Sequence, residues 1–343
     1  MEVFINLLRV VSIKNGTDQS LRDEAKCLTL SIRLAKMKSF ENLLKMFMDK
    51  IHLYNYIGNS EFAKDKTIKT EKYTRLAGYF LLLFLMADWI AWYVTPIWHL
   101  MQNIEEVRNQ TIILQTAPRL WMPFDYKYNI RNWSLVHIIN AYIGFSACGI
   151  FITFNILSFI FIFHLIGHVQ ILKYRFRTEF KNPMNNDATK ETLISLIKYH
   201  NFIVEVFKDT QTAFGPNVTA NYFHNLLCDS LLMYGIMLGD KKDIVIFGLM
   251  FLVFMGGLIL MSLIMEEIRR ESVDLADVIY SIPWEKMSIS NQKNVTMILA
   301  RAQPPLEFIS AGGLRAGVRP AISIIKSTFS YYVMLKSAMN VEK

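Results

Sequence analysis

Two stretches of this chain, Trp133 to Val169 and Ile244 to Met265, contain no Asp, Glu, Lys or Arg. A bilayer core is crossed by about 20 mostly apolar helical residues, and both runs reach that length. Inside lipid every backbone N–H and C=O must be satisfied within its own segment or by a closed barrel. These runs do not alternate apolar and polar residues, so helices are the solution. The chain reads as all-α: a polytopic membrane helix bundle. The composition agrees, at 52% hydrophobic with a mean hydropathy of +0.25 over 343 residues.

Charge and reactive side chains narrow the function. The net charge of +8 is read in a membrane protein as the excess of Lys and Arg on the cytoplasmic side, not as a nucleic-acid surface. Cys27, Cys148 and Cys228 are isolated and imply no disulfide framework. No nucleophile–base pair stands out, so no catalytic residue, enzyme activity or cofactor is expected. His164 and His168 share a helix face, but no Glu adjoins His164 and no third ligand is near, so no metal is expected. The N-terminus lacks the basic patch, apolar core and small-residue cleavage site of a signal peptide.

The chain divides as follows. Residues 1–72 hold two short apolar pieces, Met1–Lys14 and Leu28–Met37, and a charged segment read as a cytoplasmic loop. Residues 73–265 are a transmembrane bundle with an outer loop 99–132 and an inner loop 170–211. Residues 266–317 supply cytoplasmic helices, one over Met287–Ala302, and 318–343 a last helix with a short outer tail. Five spans are expected: 76–98, 133–169, 212–238, 244–265 and 318–338. The span 212–238 carries Asn217, Asn221, His224, Asn225 and Asp229, which argues for burial among other helices. Gly256-Gly257 suits close helix contact. Lys326, Ser327, Thr328, Ser330 and Lys336 make the last helix a poor lipid-facing span, so it is expected to face a protein core or a pore. Basic clusters before Leu76, after Val169, and at Arg269-Arg270 and Arg315–Arg319 place the N-terminus in the cytoplasm and the C-terminus outside. That orientation is inverted relative to a G-protein-coupled receptor. No Asp-Arg-Tyr triplet ends a helix and no Asn-Pro-x-x-Tyr lies in the last span. A transporter's repeated halves are also missing.

Several motifs carry a resemblance. They are Ala302-Gln303-Pro304-Pro305-Leu306, Ala311-Gly312-Gly313, and Ile325-Lys326-Ser327-Thr328-Phe329-Ser330-Tyr331 with Leu335. With them stand Leu120-Trp121-Met122-Pro123-Phe124-Asp125 in the outer loop, His164 to Leu172, and Glu271-Ser272, Ala276, Tyr280 and Trp284. In this order the segments from about residue 40 to 338 resemble the insect odorant receptors, and the five spans resemble that family's third to seventh helices. The chain looks N-terminally shortened against the family. Met122 stands where Tyr is usual. The short loop 170–198 resembles a variable, ligand-tuning subunit rather than the shared co-receptor. Ser330-Tyr331 without a following Gln-Phe separates the chain from gustatory receptors.

The resemblance implies a ligand-gated, non-selective cation channel, formed as a hetero-tetramer with the odorant co-receptor. It implies detection of small volatile odorants in the plasma membrane of an olfactory neuron's dendrite. A G-protein-coupled or gustatory chemoreceptor, or a non-functional truncated receptor, is the alternative. The last helix is implied to line the pore, with Ser330, Met334 and Ala338 at the pore and gate. For the odorant, residues in the outer halves of the spans are the candidates: Asp88, Trp89 and Trp92, then Tyr142, Phe145 and Ser146, then Cys228 and Tyr234. Asp88 is a carboxyl within a span, a placement that marks either a functional group or a helix-pairing one.

Overall fold

The computed structural model describes residues 43–116, 122–181, 185–238, 241–309 and 313–341, apart from 57 and 59. The apolar pieces of residues 1–37, Leu120-Trp121 and Ala311-Gly312 lie outside the described residues, as do the side chains of Asp88, Leu335 and Ala338. The chain forms two compact units, Met1–Met48 and Asp49–Lys343. The first is described only over residues 43–48, which are helical.

The second unit is built of helices. Among the described residues the only β feature is one isolated antiparallel bridge, between Ile309 and Arg315. A 3-10 turn, Leu53–Tyr56, leads to α1, Glu61–Gln102. The Ser60 hydroxyl caps α1 by accepting from the Ala63 N–H, satisfying one of the donors a helix start leaves free. A short α2, Ile104–Arg108, follows, then α3, Ile130–Glu179, capped by the Asn129 side chain. The long α4, Asn186–Leu238, carries Pro216 inside it. Next come α5, Lys241–Tyr280, α6, Ile289–Ala302, and α7, Val318–Val341.

The helices run well beyond a bilayer's thickness. α1 begins at Glu61, so most of the segment 61–72 expected as loop is helix. Its charges are solvated there and paired along the helix, Lys69 with Asp65 at 2.8 Å and Arg75 with Glu71 at 2.9 Å. The inner region expected over 170–211, which by its apolar face includes a helix at Leu193–Phe207, is helix over 170–179 and 186–211, because α3 and α4 both continue past their apolar runs. α1, α3 and α5 are long and apolar enough to cross a membrane. α4 and α7 fall below that standard because of their polar residues.

α1 lies along α3, and α3, α4 and α5 pack on one another. α7 sits on α4 and α5, and α6 bridges the same two helices. Two glycines set close approaches. A Cβ on Gly144 of α3 would fall 2.0 Å from the Tyr93 hydroxyl of α1, and one on Gly167 would fall 2.4 Å from Leu53 Cδ1. Gly256 and Gly257, expected at a close contact, instead have open space where their Cβ atoms would be. Side chains facing away from the bundle are often large and apolar, such as Leu83, Leu231 and Leu252, as a lipid-facing surface requires.

One end of the bundle gathers charge. The buried Lys173 pairs with Glu271, which also accepts from Gln170 Nε2 at 2.7 Å. The Ser272 hydroxyl accepts from the Leu306 N–H at 2.9 Å. The segment 51–56 is pinned to this end by two histidines. His168 Nε2 donates to the Ile51 carbonyl at 2.6 Å, so Nδ1 accepts from the Tyr199 hydroxyl at 2.7 Å. His164 Nδ1 accepts from the Leu53 N–H at 3.3 Å. Burial pushes the Tyr199 phenol above its ordinary range, consistent with a donor. His164 and His168 thus act as separate clips. At the other end, Trp133 Nε1 donates to the Gln115 carbonyl at 2.6 Å. Its ring closes a small core with Val107 and Leu114, which holds residues 114–115 against the start of α3.

Candidate functional site

Within the membrane-length part of the bundle, α1, α3, α4 and α5 line a narrow, partly open cavity of about 30 Å³. Phe80 and Phe84 reach it from α1, Phe151 and Phe159 from α3, and Phe254, Gly257 and Met261 from α5. Helical spacing explains the wall: Phe80/Phe84 and Phe254/Met261 recur at one or two turns and share a face. Gly257 adds space by having no side chain. The volume holds a water molecule. A larger guest requires the phenyl and thioether side chains to turn aside, and those are the flexible members of the wall.

The polar groups at this cavity come from Asn155 on α3 and from Asn221 and Asn225 on α4. They form a one-way ladder. Asn225 Nδ2 donates to the Asn221 carbonyl at 2.8 Å and to Asn221 Oδ1 at 2.9 Å. Asn221 Nδ2 donates to Asn155 Oδ1 at 3.1 Å and reaches Met261 Sδ at 3.3 Å. Asn155 Nδ2 donates to the Phe151 carbonyl at 2.9 Å. A mostly apolar cavity with a few convergent amides is the usual make-up of a small-molecule site.

The neighbour of the ladder leads to the last helix. Tyr222, 1% exposed, shares a hydrogen bond with the Ser262 hydroxyl at 3.2 Å, and its oxygen accepts from the Gly317 N–H at 3.0 Å. Gly317 has φ +147, a conformation side chains rarely adopt, and directly precedes α7. The helix that carries two of the cavity's amides is therefore bonded to the start of α7. On α7 itself, Ser323, Lys326, Ser327, Ser330, Tyr331 and Met334 line an open groove of about 290 Å³.

Of the residues expected at the odorant site, those with described side chains lie along the outer parts of α1, α3 and α4. Trp89 meets Phe145 edge to face at 5.5 Å and Tyr93 at 5.3 Å, so α1 and α3 bring those two candidates together. Trp92 is half-exposed, and Phe145 and Ser146 are exposed. Tyr142 is 73% exposed, and its carbonyl accepts from the Ser146 hydroxyl at 2.9 Å within the same helix. Cys228 and Tyr234 are half-buried on α4. Among those with described side chains, none lines this cavity. Ser330 and Met334 share the groove on α7. The cavity's own signal in the sequence is the four-residue spacing Asn217, Asn221, Asn225, Asp229, which puts one polar stripe on an otherwise apolar helix.

Fold and site together define a helical membrane protein with a mostly apolar internal cavity joined to a polar final helix. The profile of the family described as "7tm Odorant receptor" matches residues 25–329, and the chain belongs to that family. It is 23% identical to Odorant receptor 10 of Aedes albopictus over 220 residues, 62% of this chain and 58% of that receptor. It is 20% identical to Odorant receptor 30a of Drosophila melanogaster, over 62% of this chain and 56% of the other. These matches thus span little more than half the length of those relatives. The fold is similar to that of the insect olfactory receptor OR5 from Machilis hrabei, with a TM-score of 0.70 at 16% identity, covering 88% of this chain and 75% of that one. The same receptor in complex with eugenol gives a TM-score of 0.72 at 15% identity, over 88% and 74%.

Proposed function

We propose that this chain is an odorant-detecting subunit of a ligand-gated, non-selective cation channel, assembled with the shared odorant co-receptor as a hetero-tetramer. It works in the plasma membrane of an olfactory neuron's dendrite, with its N-terminus cytoplasmic and its C-terminus outside. The observation that carries this reading is the direct tie between cavity helix and last helix. Asn221 and Asn225 face the cavity, and the adjacent Tyr222 holds the Gly317 N–H at the head of α7.

In this mechanism a small volatile molecule enters from the aromatic outer ends of α1 and α3, past Asp88, Trp89, Trp92, Tyr142, Phe145 and Ser146. Cys228 and Tyr234 belong to the same outer region on α4. The guest wedges the phenyl side chains apart and shifts α4 against α5. The Tyr222–Gly317 bond passes that shift to α7, whose Ser330, Met334 and Ala338 line the pore and its apolar gate. A ligand moves such an equilibrium only by its differential affinity for the two states, which the narrow cavity supplies: it has no room for the guest until the side chains and helices around it move. The eugenol-bound relative of the same fold supports a ligand of small aromatic type.

The test is whole-cell current in cells expressing this chain with the co-receptor, against a broad odorant panel, with co-receptor-only cells as control. A new odorant-evoked inward current that persists when G proteins are blocked is expected. A chain labelled at the surface yet silent to the whole panel overturns the reading.

A further inference from the structure

The amide ladder ends in unmet acceptors. Its donors all point from Asn225 through Asn221 to Asn155, so Asn225 Oδ1 is left over, and no described group hydrogen-bonds to it. One turn further along α4 stands Asp229, fully buried at 0% exposure, with neither carboxylate oxygen hydrogen-bonded to a described group. Asn225 and Asp229 are spaced i, i+4, so their side chains are neighbours on one face, with Cβ atoms about 5–6 Å apart. Asn225 lines the aromatic cavity, and its leftover amide oxygen and the two Asp229 oxygens belong to side chains one helical turn apart on α4. A buried carboxylate away from water is costly unless it is paired. The packed runs 133–169, 209–238 and 244–265 hold no Lys or Arg; α7, which also packs on α4, carries Arg319, Lys326 and Lys336, and neither Asp229 oxygen is bonded to any of them among the described groups. His224, the one imidazole on this stretch, turns its ring to Phe254 at 5.1 Å.

We infer that the cavity selects small aromatic or aliphatic primary amines, the ammonium group seated between Asp229 and Asn225 and the hydrocarbon body among Phe80, Phe84, Phe151 and Phe254. An ammonium has three donors and no acceptor, and with Asp229 ionised it meets two carboxylate oxygens and the Asn225 amide oxygen. Phenyl faces close to the charge add cation–π attraction. A neutral alcohol of the same shape supplies one donor, and a hydrocarbon none. The inference rests on the odorant-receptor reading and adds the ligand class to it.

The experiment compares benzylamine, protonated at neutral pH, with benzyl alcohol and toluene. Binding is read as the shift in melting temperature of the purified full chain, and gating as current with the co-receptor. The expected result is a shift with benzylamine at a concentration at least about tenfold below that needed for benzyl alcohol, tenfold being about 1.4 kcal/mol. In Asp229→Asn the amine is expected to lose that preference while the alcohol is unchanged, and Asp229→Glu is expected to keep part of it. If either variant fails to reach a folded, monodisperse state, Asn225→Leu takes its place, with a weaker loss of amine preference expected. Equal shifts for amine and alcohol, no shift with the amine, or an Asp229→Asn loss common to both ligands overturns the inference. An amine-specific shift without any current leaves the inference standing and sinks the channel reading. Current to neutral odorants without amine preference does the reverse.

Discussion

Single atoms decide much of what this bundle can do. The Tyr222 hydroxyl is one: it serves Ser262 on α5 and the Gly317 N–H ahead of α7 at once. Tyr222→Phe keeps the ring and removes both bonds, leaving a buried backbone donor without its acceptor, a cost of about 1–3 kcal/mol. The expected outcome is a smaller maximal odorant-evoked current with ligand-induced stabilisation of the purified protein retained. Equal loss of both shows that Tyr222 serves folding alone. Gly257 offers the opposite kind of test. Nothing stands within 4 Å of where its Cβ would be, so Gly257→Ala is accommodated, while Gly257→Leu fills the cavity. The expected result for Gly257→Leu is normal surface expression with odorant responses lowered at least about tenfold, read as dose–response curves. The sequence shows that Asn221, Asn225 and Asp229 share a stripe. It does not show that the amides point their donors in one direction, because that depends on Asn155 coming across from α3.

At the scale of elements, the helices are fixed by contacts the sequence only hints at. Gly144 and Gly256-Gly257 look alike in the sequence, as small residues in apolar helices. The first lies under the Tyr93 ring and the others face space, since what a glycine meets depends on the neighbouring helix. Gly144→Ala puts a methyl against the Tyr93 ring, which must move along with the His137–Tyr93 carbonyl contact at 3.1 Å. Overpacking of this kind costs about 1–3 kcal/mol, and a lower melting temperature in detergent is the expected readout. Gly78→Ala, where the Cβ meets nothing within 4 Å, is the matched control. The expected boundaries at 72, 170 and 211 also move. The stretches beyond the apolar runs remain helical, with charges outward and apolar residues inward, and periodicity separates the ends of such a helix from a loop poorly.

For the whole molecule, the charged end ties the fold together and makes it acid-sensitive. His200, buried on the part of α4 before residue 212, is held below its ordinary pKa by burial and then by the Arg301 charge. The unfolded chain therefore takes up this proton first as pH falls. The stability from a neutral His200 is complete above about pH 6.5 and is lost progressively below it. The melting temperature is expected to fall between pH 7.5 and 5.5, and His200→Gln to fall less; an unchanged pH slope in that variant removes His200 from the account. The sequence by itself determined the class: charge-free runs as long as a bilayer is thick, with no apolar–polar alternation, force membrane helices, since only helices or closed barrels satisfy their backbone in lipid. It also carried the family, because the motifs serve the fold locally and in order: Glu271-Ser272, for instance, holds Lys173, Gln170 and Leu306 together. Only the tertiary structure decided where the narrow cavity lies, that Phe80, Phe151 and Phe254 share a wall, and that Tyr222 reaches Gly317. Those are contacts between helices far apart in the chain, and helical period states which face a residue occupies but not which partner that face meets.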